Sequence, residues 1–154
     1  MEGIKISGYV RLRIKDKDGN IKEDTGFQKN IITNAGLAEL SNLAGNVSSP
    51  TAFTYLAVGT DNTAAAATDT TLGAEITDTG LARASATVSR TTTTATNDTL
   101  RLVYEWTATG SKTVEEVGIF NAASSGTMLG RKLTTSKALT NTDKLEVTYD
   151  VVFA

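Results

Sequence analysis

The 154-residue chain contains no cysteine, no histidine and a single proline, Pro50. Without cysteine there are no disulfides and no thiol nucleophiles. Without histidine, Ser–His and Cys–His catalytic pairs are excluded, and zinc or copper would lose their commonest ligands. The side chain most often used to move protons near neutral pH is missing as well. Neither sign of charge dominates: 15 Lys and Arg against 17 Asp and Glu give a net charge of −2 and a pI near 5.2. A nucleic-acid binder needs a basic footprint, and this chain has none, so no nucleic-acid partner is expected. No apolar run approaches the roughly 18 residues that mark a membrane span. The N-terminal MEGIKISGYVRL has no basic stretch followed by an apolar one, so no export signal is expected. A cysteine-free chain is compatible with synthesis in a reducing cytoplasm.

What is present is β-structure. Hydrophobic residues make up 40% and charged residues 21%, a folded rather than a disordered composition. The length fits one domain, residues 1–154. Ile4, Ile6, Val10, Leu12 and Ile14 alternate with Lys5, Arg11, Arg13 and Lys15, the period of a strand with one face buried. Gly8 falls on the apolar face and marks a bulge or a close approach. Ile21–Asp24 reads as a short returning strand. Phe53–Gly59 is apolar throughout, as in a sheet centre. Leu81–Arg90 sets small residues on one face. Leu100, Leu102, Tyr104 and Trp106 alternate cleanly, and so do Leu145, Val147, Tyr149, Val151 and Phe153. Thr113–Lys132 reads as a hairpin with its tip at Asn121–Gly126, followed by a polar loop over Leu133–Asp143. One helix is expected over Asn34–Ala44, capped by Thr33 or Asn34, with Gly45 as its stop. Close strands, turn signals and no βαβ alternation predict an all-β fold, an antiparallel β-sandwich or jelly roll with one short helix.

Several segments raise questions of chemistry. Glu115 and Glu116 are adjacent carboxylates, but strand neighbours point to opposite faces, so they cannot act on one bond. Glu116 shares the parity of Val114 and needs a cationic partner, with Arg83 and Arg131 as candidates. Asp16, Asp18 and Asn20 alternate like part of a calcium loop, yet Gly19 and Phe27 stand where that motif does not allow them, and a plain turn is expected. Asp61, Asp69 and Asp78 lie in one long loop with nothing to fix their geometry, and no metal or cofactor is predicted. Lys5, Arg11, Arg13 and Lys15 form a basic stripe, either a solvated face or a contact for an acidic protein. Thr60–Thr79 is long enough to be functional, and it is the best candidate for an arm reaching a neighbouring subunit. The candidate subunit contacts are Asp61, Asn62, Thr63, Thr68 and Asp69 in that loop, with Asn121, Ser124 and Ser125 at the hairpin tip.

The order of four segments resembles a family of small virion structural proteins of tailed bacteriophages and prophages, variously labelled tail-fibre-like, tail or capsid-accessory proteins. These are NIITNAGLAELSNLAG (Asn30–Gly45), YLAVGTDNTAAAATDTTLGAEI (Tyr55–Ile76), Leu81–Arg90 with the strand to Trp106, and EVGIFNAASSGTMLGR (Glu116–Arg131) with the terminal LEVTYDVVF. None is a catalytic motif. The resemblance implies a non-enzymatic virion protein, either a capsid decoration or cement protein or a compact tail appendage. It would be assembled in the host cytoplasm and located in the virion. It would form a homo-oligomer, a trimer being one form, beside major capsid or tail proteins. The alternative is a carbohydrate-binding module for host attachment. It has Tyr9, Tyr55, Tyr104, Tyr149 and Trp106 as aromatics, most of them on core-facing parity.

Overall fold

The structure, a computed structural model, describes residues 3–154, so the first two positions of the expected 1–154 domain lie outside the described residues. In chain order the elements are β1 (Ile6–Lys15), β2 (Ile21–Asp24), β3 (Gln28–Lys29), β4 (Ile31–Ile32), α1 (Asn34–Gly45) and β5 (Tyr55–Gly59). They continue with β6 (Ala84–Ser85), β7 (Thr87–Thr91), β8 (Thr99–Thr107), β9 (Lys112–Phe120), β10 (Met128–Leu139) and β11 (Lys144–Phe153). The first sheet has the order β2-β1-β11-β8-β7, with β3 also on β1. The second has the order β4-β10-β9-β5-β6. All pairings are antiparallel among the described residues.

Period-two alternation does the work expected of it. Along β1, Gly8, Val10, Leu12 and Ile14 are buried while the residues between them are half-buried. They pack with Leu102, Trp106, Leu145, Val147 and Val151 of the first sheet against Leu56, Val58, Val117, Ile119 and Leu129 of the second. Each fully buried aliphatic of this kind stabilises the fold by about 1.5–3 kcal/mol. The expected antiparallel sandwich with one short helix is the observed architecture. Gly8 marks no bulge, since β1 pairs with β11 without a register shift. It makes room for a side chain: a Cβ there would stand 2.0 Å from Asn30 Oδ1. Three of the four cations of the basic stripe are answered within the sheet. Arg11 pairs with Asp24, Arg13 with Glu146, and Lys15 with Glu105 and Glu146.

Some expectations are corrected. Leu133–Asp143 is not a loop, because β10 continues to Leu139. A register shift between Leu133 and Lys137 breaks the alternation. Lys137, although charged, is buried with its ammonium on Glu23 and Thr135. Leu81–Arg90 is not one strand. It is divided between β6 of one sheet and β7 of the other, and the N–H of Ala86 at the crossing donates to the Thr54 carbonyl. The helix is capped by Thr33, whose side chain accepts from the Gly36 N–H. It stops on Asn46 in the left-handed region, φ 49°, and Gly45 is its last helical residue.

Candidate interaction surface

Glu116 and its neighbours on β9 open the surface. Gly59, Ala57 and Tyr55 of β5 stand opposite Glu116, Gly118 and Phe120, so these residues share one face of the second sheet. Ala57, Leu72, Phe120 and Met128 form a second, smaller apolar cluster there, separate from the sandwich core. Leu72 comes from the Thr60–Thr79 loop, which therefore covers the outer face of the sheet. Ile76, the loop's other large apolar residue, is buried in the main core. The Thr60 N–H donates to the Ala74 carbonyl, and Gly59 bridges to Glu75, so the loop closes on itself. The segment proposed to reach a neighbouring subunit is thus also pinned to its own sheet.

Charge does the rest of the pinning. Glu116 is fully buried beneath the loop, and its carboxylate accepts from the Gly73 and Ala74 N–H groups at 3.0 and 2.8 Å. Arg131 Nε donates to it at 2.7 Å. The same guanidinium donates through Nη1 to Asp69 at 3.1 Å and through Nη2 to Asp61 at 3.0 Å. Burial works against the Arg131 charge, but Glu116 and Asp69 outweigh it and hold the guanidinium above its ordinary range. All three donor positions of the fork are used, which a lysine could not do in this geometry. Gly59 is required here, since a Cβ would stand 2.2 Å from Glu116 Oε1 and 2.6 Å from the Ala74 carbonyl. Of the two cations considered for Glu116, Arg131 is the partner.

Arg83 makes a second clamp. It binds Glu75 through two parallel bonds of 2.8 Å, and its Nη1 donates to the carbonyls of Ala122 and Ser125. Its guanidinium carbon lies 3.7 Å from the centroid of the Phe120 ring. One side chain thus ties the end of the loop to the hairpin tip and stacks on the aromatic between them. The tip is also closed from inside. Asn121 is buried, and its side-chain oxygen accepts from the Thr127 N–H at 2.7 Å.

The predicted contact residues therefore divide. Asp61 and Asp69 are committed to Arg131, and Asn121 is internal to the hairpin. Asn62, Thr63 and Thr68 in the loop and Ser124 and Ser125 at the hairpin tip are exposed. Glu115 points away from Glu116 and accepts from Ser136. Trp106 is buried, with its N–H on the Ala82 carbonyl. The acids considered for calcium are held by protein groups. Asp78 pairs with Lys112, and Asp16 accepts from the N–H groups of Asp18 and Asn20 in its own turn. Among the described residues no group of three or more acidic, histidine or cysteine side chains is placed to hold a metal ion. Sequence reasoning missed Glu75 and the double role of Arg131. The available signal was a loop carrying Asp61, Asp69, Glu75 and Asp78 within reach of two arginines, Arg83 and Arg131.

No curated protein and no solved structure matches the chain. A family model does, over residues 29–152. That span leaves out β1 and β2 and contains the helix, the covering loop, both arginine clamps and the whole of the second sheet. On the strength of that match the chain belongs to the family described as Podophage GP4 fiber I protein gp80, a family of phage fibre proteins.

Proposed function

We propose that the chain is a non-enzymatic structural subunit of the phage particle, folded as one domain and built into a fibre or compact tail appendage as a homo-oligomer. The observation that carries this reading is the family match over residues 29–152. It favours an appendage over a capsid decoration or cement protein. The site chemistry supports it. Glu116, fully buried beside the buried Arg131, is saturated by backbone N–H groups and ion pairs. Such bonding fixes a loop and leaves no group free for proton transfer. The exposed polar residues Asn62, Thr63, Thr68 and Ser124 then lie on a rigid surface, suited to contacts repeated around a symmetric assembly. Its partners are other copies of itself and the neighbouring tail or capsid proteins, and its site is the virion, assembled in the host cytoplasm.

Mass spectrometry of purified particles should find the chain at a fixed copy number. Sedimentation of the isolated protein should give a defined oligomer, of which a trimer is one form. A protein that stayed monomeric and was absent from particles would overturn the proposal.

A further inference from the structure

The first sheet ends on β2, with β3 beside it, and on β7; the second ends on β4 and on β6. An open edge presents backbone N–H and C=O groups that pair with any extended chain that fits, and folded proteins blunt such edges. Most of these edges are blunted. β3, β4 and β6 are two residues long each. β2 carries Lys22, Glu23 and Asp24 among its four residues, and its register on β1 shifts at Ile14 and Lys15. β7 is different. Its five residues, TVSRT, hold one charge and no proline, and they pair with β8 without a register shift. Among the described residues no backbone hydrogen bond reaches its outer side.

β7 also overhangs the core. Val88 stands opposite Leu102 and Arg90 opposite Leu100, so both lie on the core-facing side of the first sheet. Leu102 is fully buried, yet Val88 is 43% exposed and Arg90 is exposed as well. The second sheet ends on the two residues of β6 and does not reach over them. Arg90 is the one arginine of six with no carboxylate within ion-pair distance among the described residues.

We infer that β7 is a two-fold subunit contact, at which β7 of a second copy pairs antiparallel and continues the first sheet through both molecules. The inference rests on the homo-oligomeric reading above and names a different surface from the loop and hairpin tip. The free donors and acceptors of an edge are met in register by another extended strand. Within a homo-oligomer that strand must be an open edge of the same chain, and β7 is the one that is neither two residues long nor crowded with charge. Antiparallel pairing of two like strands is self-complementary, so one contact serves both copies. In the register centred on Ser89, Thr87 faces Thr91 and Val88 faces Arg90 of the second copy, so no like charges stand directly opposite. The aliphatic stem of each Arg90 then covers the other copy's open Val88. A two-fold contact closes on itself and gives a dimer or an assembly built of dimers.

The chain has no cysteine, so a single introduced cysteine can form a disulfide only with another copy. Directly opposed residues of an antiparallel pair have Cα atoms about 4.5–5.5 Å apart, a span a disulfide bridges. Under mild oxidation Ser89→Cys should therefore run as a covalent dimer on a non-reducing gel. Asp18→Cys, in the exposed turn at the opposite edge of the same sheet, should stay a single chain. Ser89→Lys sets two ammonium groups against each other on the axis and should weaken self-association in sedimentation by about tenfold or more. Ser89→Thr should associate as the wild type does, and an unchanged circular dichroism spectrum shows that both variants fold. Equal crosslinking of the two cysteine variants, undiminished association of Ser89→Lys, or a wild type found only as a trimer would overturn this contact and leave the virion role standing. A monomer absent from particles would overturn both.

Discussion

At the scale of single residues, Glu116 has the most at stake. Its carboxylate satisfies three donors at once: two loop N–H groups and Arg131 Nε. Replacing it with alanine leaves those donors buried and unpaired, and it leaves Arg131 without its shortest ion pair. Breaking a buried pair in this way costs about 3–5 kcal/mol, which in a chain of this size lowers the melting temperature by roughly 6–20 °C. Glu116→Gln keeps an acceptor for the loop and should cost less than Glu116→Ala. Calorimetry on both variants checks the order. A Glu116→Ala melting temperature within experimental error of the wild type would show that the clamp does not hold the loop. The divergence of Glu115 and Glu116 was readable from strand parity alone. The full burial of Glu116 was not, because parity places a side chain on a face and cannot show what covers that face.

At the scale of elements, the Thr60–Thr79 loop and the hairpin tip behave as one unit through Arg83. That side chain reaches Glu75, two tip carbonyls and the Phe120 ring. Arg83→Gln cannot make the paired bonds to Glu75 and the carbonyl bonds together. Amide hydrogen exchange should rise at Glu75 and over Ala122–Gly126, while the central strands β1 and β11 keep their protection. Uniformly faster exchange would mean that Arg83 supports the whole fold and not this joint. Legibility also varies by element. The strands β1, β8 and β11 and the apolar β5 were visible as alternation or as a continuous apolar run. The second half of β10 was not, because Lys137 faces inward on Glu23 and a register shift interrupts the period. The crossing at Ala86 was hidden for a related reason. A run of small residues has the same pattern whether it stays in one sheet or passes to the other, and only the Ala86–Thr54 bond decides. Both segments of the candidate surface were singled out in the sequence, but their attachment to the chain itself depends on long-range ion pairs that spacing does not reveal.

At the scale of the whole molecule, the missing histidine sets the response to pH. With no histidine, no side chain with an unperturbed pKa changes charge between pH 5 and 8. A few aspartates that titrate below that range are pulled down further by folding. Asp98 is held well below the usual carboxylate range by the N–H groups of Ala95, Thr93 and Thr94 in the turn before β8. Asp24 is lowered by the Arg11 guanidinium and the Gly26 N–H. Asp143 is lowered by the Thr140 N–H and by Lys22. A carboxylate with a depressed folded pKa contributes stability above its unfolded value, near 3.9 for aspartate. That contribution fades as pH falls from there through the folded value. The melting temperature should therefore stay flat from pH 8 to about 5 and drop steeply below about 4. Asp98→Asn should soften the acid limb, because the group that must take up a proton is gone. A transition centred between pH 5 and 8 would contradict this account, since no side chain of the ordinary kind titrates there. Within that window, then, the particle component proposed here keeps one shape.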